Sequence, residues 1–432
     1  MGVTFPISGG PSSLAGVADG EGGQRLVNLV QARRTARFSA LLAAKPHAAL
    51  IGIAGTTEGA ESMSTSVQES TTVAPPEKSG SRRFLLVDAL RGCAALAVVV
   101  YHVWHRNIGP DLNRTLPEPL ESMLAHGYLG VQVFFVLSGF VIAHSIFGAR
   151  ITPGYFGRFV LRRSVRLDPP YWASIALAIG MLSVTNVLRH SGTLELPTLG
   201  DVAVHLVYLQ EILGVPEIVG VYWTLCYEVQ FYLVFVLFQG LAQTLSRGTQ
   251  PAKANAAFAL VFGGVWVLSL LIADGYLHSP QGLFIDRWFH FFAGVAAYWA
   301  FRGFIPAWTL VVVLVGTVAA GPPGDPVRIA VTLTAALLYA ASQGGQLWSL
   351  SGGRVLQLLG RVSYSLYLTH MLIGCRIARY GAERYPSMGL PAAVLLMVVS
   401  TIAAVAFAQL MYWAVERPAL KLTHRVRLPR PE

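Results

Sequence analysis

Residues Phe84–Trp104 read FLLVDALRGCAALAVVVYHVW. The stretch is apolar and long enough to cross a bilayer, which takes about 20 residues, yet it holds Asp88, Arg91 and His102. Placing an ionisable side chain in a membrane helix costs about 2.5–3.5 kcal/mol on insertion scales, so its default reading is functional. Eleven residues turn a helix through about 1100°, within about 20° of three whole turns, and raise it by about 16.5 Å. Arg91 and His102 therefore fall on one face, each near an opposite membrane surface. A long, thin substrate with an anionic end at Arg91 would bring its other end to His102.

The surrounding composition agrees. Charged residues make up 12% of the 432-residue chain and the mean hydropathy is +0.54, whereas a soluble chain carries about 25% charged residues. The fold class is an all-α membrane protein, a polytopic bundle of about ten transmembrane helices. The net charge of +10 is no nucleic-acid signal, because the basic residues gather in short loops between apolar segments, as membrane topology requires. Cys93, Cys226 and Cys375 show neither pairing nor metal-ligand spacing. Each is expected to be a small buried hydrophobe without a disulfide.

Residues 1–80 are rich in Gly, Ser, Thr and Ala and read as a disordered N-terminal extension, with Met63 as an alternative start. Residues 81–420 form the transmembrane domain, and 421–432 a short basic cytoplasmic tail. The expected spans are 84–104, 128–148, 170–188, 221–243, 256–274, 284–302, 306–321, 327–344, 357–376 and 391–415. Val202–Val215, interrupted by His205, Gln210 and Glu211, reads as an interfacial or re-entrant piece. Arg82 and Arg83, the arginines from Arg150 to Arg166, Arg247, Arg302, Arg354 and those from Arg417 onward fall on one side of this arrangement. Arg376, Arg379 and Arg384 are the exception. The pattern puts both termini in the cytoplasm, Arg91 in the cytoplasmic part of the first span and His102 near its outer end.

Each candidate has a structural alternative. Arg91 either snorkels to the headgroups or forms an anion site. His102 is either an interfacial histidine beside Tyr101 and Trp104 or a general base suited to neutral pH. Arg158, Arg162 and Arg166 make an i, i+4, i+8 stripe with Arg163 beside it. That stripe anchors a cytoplasmic loop or, through the planar guanidinium fork, grips phosphate. Asp168-Pro169-Pro170 is expected to end that helix. Glu228, in the outer half of the fourth span, is expected to pair within the membrane, either to orient His102 or in a structural hydrogen bond to another helix. Ser363, Tyr367 and His370 share a face that favours helix packing, with His370 as a second site histidine only in the minority reading. The sequence has no G-x-S-x-G elbow, Walker loop, H-E-x-x-H or dinucleotide-binding glycine motif.

Six segments, in order, resemble the membrane acyltransferase 3 family. They are Leu86–Gly92 with Tyr101-His102, Gly130–Phe140, Arg162 to Trp172, Trp223–Leu225 with Glu228, Phe231 and Tyr232, the run to His370, and Val415–Pro418. Gln132 and Val229 depart from the family pattern. The resemblance covers about 81–420. It implies an integral membrane O-acyltransferase that moves an acyl group, usually acetyl, from cytoplasmic acyl-CoA to a hydroxyl of a polysaccharide, lipid-linked glycan or macrolide-like acceptor. It gives Arg91 and His102 the leading roles, and the reading of the residues adds Glu228 as the catalytic partner of His102. Arg91, Arg162, Arg163 and Arg166 would serve the donor, with no metal and no nucleic-acid partner, in a bacterial cell membrane. The alternative from another class is a multi-pass transporter or flippase, because buried Arg, His and Glu also mark transport paths.

Overall fold

The computed structural model describes residues 83–109, 116–189, 195–247, 257–426 and 428, so the expectations for residues 1–80 lie outside the described residues. Among the described residues the chain is helical, with no strand. Helix α1 (Leu85–Val100) continues as a π-helical segment, Tyr101–Ile108. Then come α2 (Glu118–Ala125), α3 (Gly130–Ile146), α4 (Pro153–Arg189), α5 (Leu199–Leu206), α6 (Gln210–Leu213) and α7 (Trp223–Leu245). They are followed by α8 (Gly264–Ala273), α9 (Trp288–Phe301), α10 (Ala307–Ala320), α11 (Pro326–Gln343), α12 (Gln346–Ser349) and α13 (Gly353–Thr369). Helices α14 (Gly374–Arg384), α15 (Leu390–Met411) and α16 (Arg417–Thr423) complete the chain.

A helix occupies each of the ten stretches read as spans. Five are long and apolar enough to cross a membrane: Leu85–Ile108, Glu118–Ile146, Pro153–Leu188, Trp223–Leu245 and Leu390–Thr423. Helix α9 is too short for that, yet every residue from Trp288 to Ala300 is buried. A helix apolar all round belongs at the centre of a bundle, and aromatic stacking fixes it there, with the Phe231 and Phe291 rings 4.2 Å apart. Segment 202–215 does not cross, because α5 and α6 have eight and four residues.

Small residues set the closest approaches. A methyl group on Gly92 of α1 would lie 2.6 Å from the Leu356 carbonyl oxygen of α13, and one on Gly360 of α13 would strike the Asp88 carbonyl of α1. The two backbones therefore touch, as glycine permits within membranes. Gly139 of α3 and Gly294 of α9 make the same reciprocal contact, against the Phe291 and Val136 carbonyls. Gly127 and Gly130 press the start of α3 onto the Ala97 and Ala94 carbonyls of α1. Helix α1 is thus clamped on two sides.

Two sequence expectations fail here. Pro169 and Pro170 do not end a helix; α4 runs through them. Proline removes the N–H groups that would bond the carbonyls one turn back, those of Val165 and Arg166, and side chains from other segments hold α4 at the two residues that follow. Tyr364 of α13 donates to the Leu167 carbonyl at 2.8 Å, and Tyr208 donates to Asp168 at 3.0 Å. Cys93 is exposed, unlike the buried Cys226 and Cys375, and all three are free. It lies on the outward face of α1.

The glycine crossing makes a prediction. In Gly360→Ala the added methyl meets backbone that cannot rotate away, so overpacking is expected to cost about 1–3 kcal/mol. Gly264→Ala, whose methyl meets nothing within 4 Å, is expected to be near neutral. Thermal unfolding of both purified variants checks this; equal midpoints would show that the α1–α13 contact is not tight.

Candidate active site

Arg91 leaves α1 one residue before Gly92, so the crossing that brings α13 to α1 also brings its serine. The Arg91 Nε donates to Ser363 Oγ at 3.2 Å, and Ser363 donates in turn to the Gly360 carbonyl at 2.9 Å. Arg91 opens into a cavity of about 70 Å³ that also receives Ser138 of α3, Arg163 and Arg166 of α4, Glu228 of α7 and Tyr367 of α13. Arg163 donates to Ser145 at 3.3 Å. Its guanidinium also lies 5.3 Å from the centre of the Tyr232 ring, a cation–π arrangement. Glu228 accepts from Ser138 Oγ at 2.6 Å and from the Tyr232 hydroxyl one turn on. Three guanidiniums and one carboxylate line the cavity, so it carries net positive charge. Glu416, buried at the end of the π-helical segment Tyr412–Glu416, accepts from Ser365 N at 3.2 Å and Ser365 Oγ at 2.5 Å. It lies within electrostatic reach of Arg91 and Arg166. In so apolar a setting, an unbalanced cluster of arginines needs such carboxylates or an anionic ligand.

His102 sits at the other end of the same helix, where α1 widens into its π-helical segment, a distortion common at functional sites. Its Nδ1 lies 2.9 Å from the Val98 carbonyl oxygen and 3.4 Å from His370 Nε2. A carbonyl only accepts, so Nδ1 carries the proton and Nε2 bears the free lone pair. Between this pair and the cavity stands Tyr367. Its ring centre is 5.9 Å from that of His370, and its hydroxyl lies 2.8 Å from Thr224 Oγ1 of α7. Tyr367 and Thr224 both line the arginine cavity. The molecule thus offers an anion-attracting chamber, a Tyr–Thr partition, and a histidine with an available base nitrogen beyond it.

A domain family described as an acyltransferase domain matches residues 85–412. The chain belongs to this acyltransferase family, Acyl_transf_3. Among its relatives is nodulation protein 10 of Rhizobium leguminosarum bv. viciae, 27% identical over 78% of this chain and 93% of its own. Acyltransferase MdmB of Streptomyces mycarofaciens is 25% identical over 79% of this chain and 92% of its own. The peptidoglycan O-acetyltransferase OatA of Listeria monocytogenes is 27% identical, over 37% of this chain and 24% of its own. No solved structure matches. Family and apolar helices together make this a multi-pass membrane acyltransferase.

The candidate site departs from the sequence reading in its partners. The structure brings Arg91, Arg163, Arg166 and Glu228 into one cavity. Arg162 does not line it, and Arg158 is exposed, so the i, i+4, i+8 stripe is not the face that α4 presents. The hydrogen bonds of Glu228 go to Ser138 and Tyr232, and the side-chain partner of His102 is His370, where Glu228 was expected. Ser138, Tyr232 and Thr224 lay inside the resemblance motifs, but no local signal marked their side chains as site-facing. The π-helical turn at His102 left no sequence signal.

The segment that leads into α7 buries two ionisable groups, His205 and Glu217, in surroundings that favour their neutral forms. His205 is buried, which pushes its pKa down; it donates from Nδ1 to the Asp201 carbonyl at 2.7 Å and accepts from Ile218 N at 3.2 Å. Burial, and then the Glu211 carboxyl, push Glu217 up to about 9. The two approach to 3.8 Å as a neutral imidazole and a neutral acid. A raised acid pKa means the folded state keeps a proton that the unfolded chain releases. Its stabilisation is full below the ordinary glutamate range and is lost as pH rises through about 9. Thermal unfolding between about pH 5 and about pH 9 is therefore expected to show the wild type losing stability more steeply than Glu217→Gln. Parallel profiles would show that Glu217 titrates as an exposed acid.

Proposed function

We propose that this acyltransferase moves an acyl group, with acetyl as the leading candidate, from cytoplasmic acyl-CoA to a hydroxyl of a glycan or similar acceptor. One observation carries the reading: a single helix bears both the arginine of a positively lined cavity and a histidine whose Nδ1 holds the proton, with no hydrogen bond to its Nε2 among the described residues. On an ideal helix these groups stand about 16.5 Å apart along the axis, similar to the length of a pantetheine arm. In the ten-span arrangement, with both termini cytoplasmic, Arg91, Arg163 and Arg166 meet the donor's phosphates from the cytoplasmic side. Guanidinium forks suit that task. Arg162, outside the cavity, would serve the donor at its mouth.

The chemistry follows from the free Nε2. His102 takes the proton of the acceptor hydroxyl, and the oxygen attacks the thioester carbonyl. A C–O bond forms and the C–S bond breaks. The thiolate leaves with the proton returned by His102, so the step consumes only donor and acceptor. Glu228, held by Ser138 and Tyr232, balances the arginine charge and keeps Arg163 in place. The cavity has room for about two waters, so the Tyr367–Thr224 partition must part to admit the arm. A relative named as a peptidoglycan O-acetyltransferase supports a glycan hydroxyl as acceptor. Membership of an acyltransferase family leaves the transporter reading without support of its own.

Purified protein in nanodiscs tests this. Arg91→Ala is expected to weaken acetyl-CoA binding by more than about tenfold, about 1.4 kcal/mol. His102→Ala is expected to bind normally but to release CoA at least about 10²-fold more slowly. Wild type that neither binds nor turns over acetyl-CoA or a longer acyl donor would defeat the reading.

A further inference from the structure

We propose that His370 is a positioning residue for His102: a neutral imidazole whose lone pair fixes the His102 ring and shares the charge that forms on it. The turnover arm of its test rests on the acyl-transfer reading; the geometry does not. His370 caps α13 and is fully buried. Its Nδ1 lies 2.8 Å from the Tyr367 carbonyl and 3.2 Å from that of Leu366. Carbonyls only accept, so Nδ1 holds the proton and Nε2 holds the lone pair. That lone pair faces His102 Nδ1 at 3.4 Å, and no other hydrogen bond to His370 Nε2 is found among the described residues. The His102 N–H is thus forked between the Val98 carbonyl and His370, with the two rings 5.1 Å apart.

A buried histidine often only fills space, but space-filling alone does not call for an imidazole here, since an apolar side chain such as phenylalanine or methionine would also occupy the site. What phenylalanine lacks is the acceptor. When His102 Nε2 takes a proton, its ring becomes cationic, and the Nδ1–H bond to His370 becomes charge-assisted and stronger. His370 itself neither gains nor loses a proton. A carboxylate in its place would be a permanent charge beside the apolar core, costly within a membrane. A neutral acceptor avoids that cost and still holds the imidazole in one tautomer.

The test compares the full-length wild type with His370→Phe, which removes the acceptor, and His370→Gln, which sets an amide oxygen near the lost nitrogen. CoA release from acetyl-CoA is expected to fall about 10²-fold in the Phe variant, with acetyl-CoA affinity unchanged and most of the rate recovered in the Gln variant. A second readout needs no turnover: the rate at which diethylpyrocarbonate modifies His102, followed by mass spectrometry. It is expected to slow in the Phe variant and recover in the Gln variant. Unchanged rates in the Phe variant, or equal losses in both, would overturn the proposal. Should the Phe variant fail to run as a monodisperse species, His370→Met replaces it. If the wild type releases no CoA while the modification pattern holds, the acyl-transfer reading falls and the positioning role stands.

Discussion

Backbone contact between α1 and α13, made where Gly92 and Gly360 leave no side chain between them, places both ends of the site. Beside the crossing it delivers Ser363 to Arg91, and further along both helices His370 to His102. A larger residue at either glycine would separate the helices and loosen both pairs together. The clamp on the other side, through Gly127 and Gly130, keeps α1 from shifting away under that pressure. In a membrane, where apolar surface alone drives little helix association, such close packing carries more of the specificity.

Around this frame the buried guanidiniums of Arg91 and Arg163 each have partners. Arg91 has Ser363, with Glu416 and Glu228 in electrostatic reach. Arg163 has Ser145 and two aromatic faces. Away from the cavity, Arg328 of α11 is buried yet bound by Asp274 at 2.6 Å and the Thr317 carbonyl at 2.7 Å, a structural pair that needs no ligand. The contrast is informative. Arg328 meets carboxylates directly, whereas the cavity arginines are held by hydroxyls and rings, which leaves guanidinium donors for an anion.

Much of the fold was legible because helix-forming apolar runs are local. A helix stands in each expected stretch, and the interrupted segment at 202–215 does not cross. What failed depended on distant residues. Pro169 and Pro170 look like a helix end by sequence, but α4 runs through them, in a stretch where Tyr364, far along the chain, donates to the Leu167 carbonyl. Arg162 looks equivalent to Arg166 by spacing, but the face that α4 turns inward carries Arg163 and Arg166. Cys93 looks buried by composition, but a helix clamped on two sides still shows one face outward.

The site divides along the same line. The sequence by itself determined that Arg91 and His102 share a face about 16.5 Å apart along the helix axis, because helical rise and period depend only on consecutive residues. It could not determine what each one meets. Glu228 was the expected partner of His102 and His370 a site histidine only in the minority reading, and the crossing of α1 with α13 decided between them. It gave His370 to His102, while Ser138 and Tyr232 held Glu228 among the arginines. Spacing along a helix is a property of the chain; the neighbour across the helix is a property of packing between segments hundreds of residues apart.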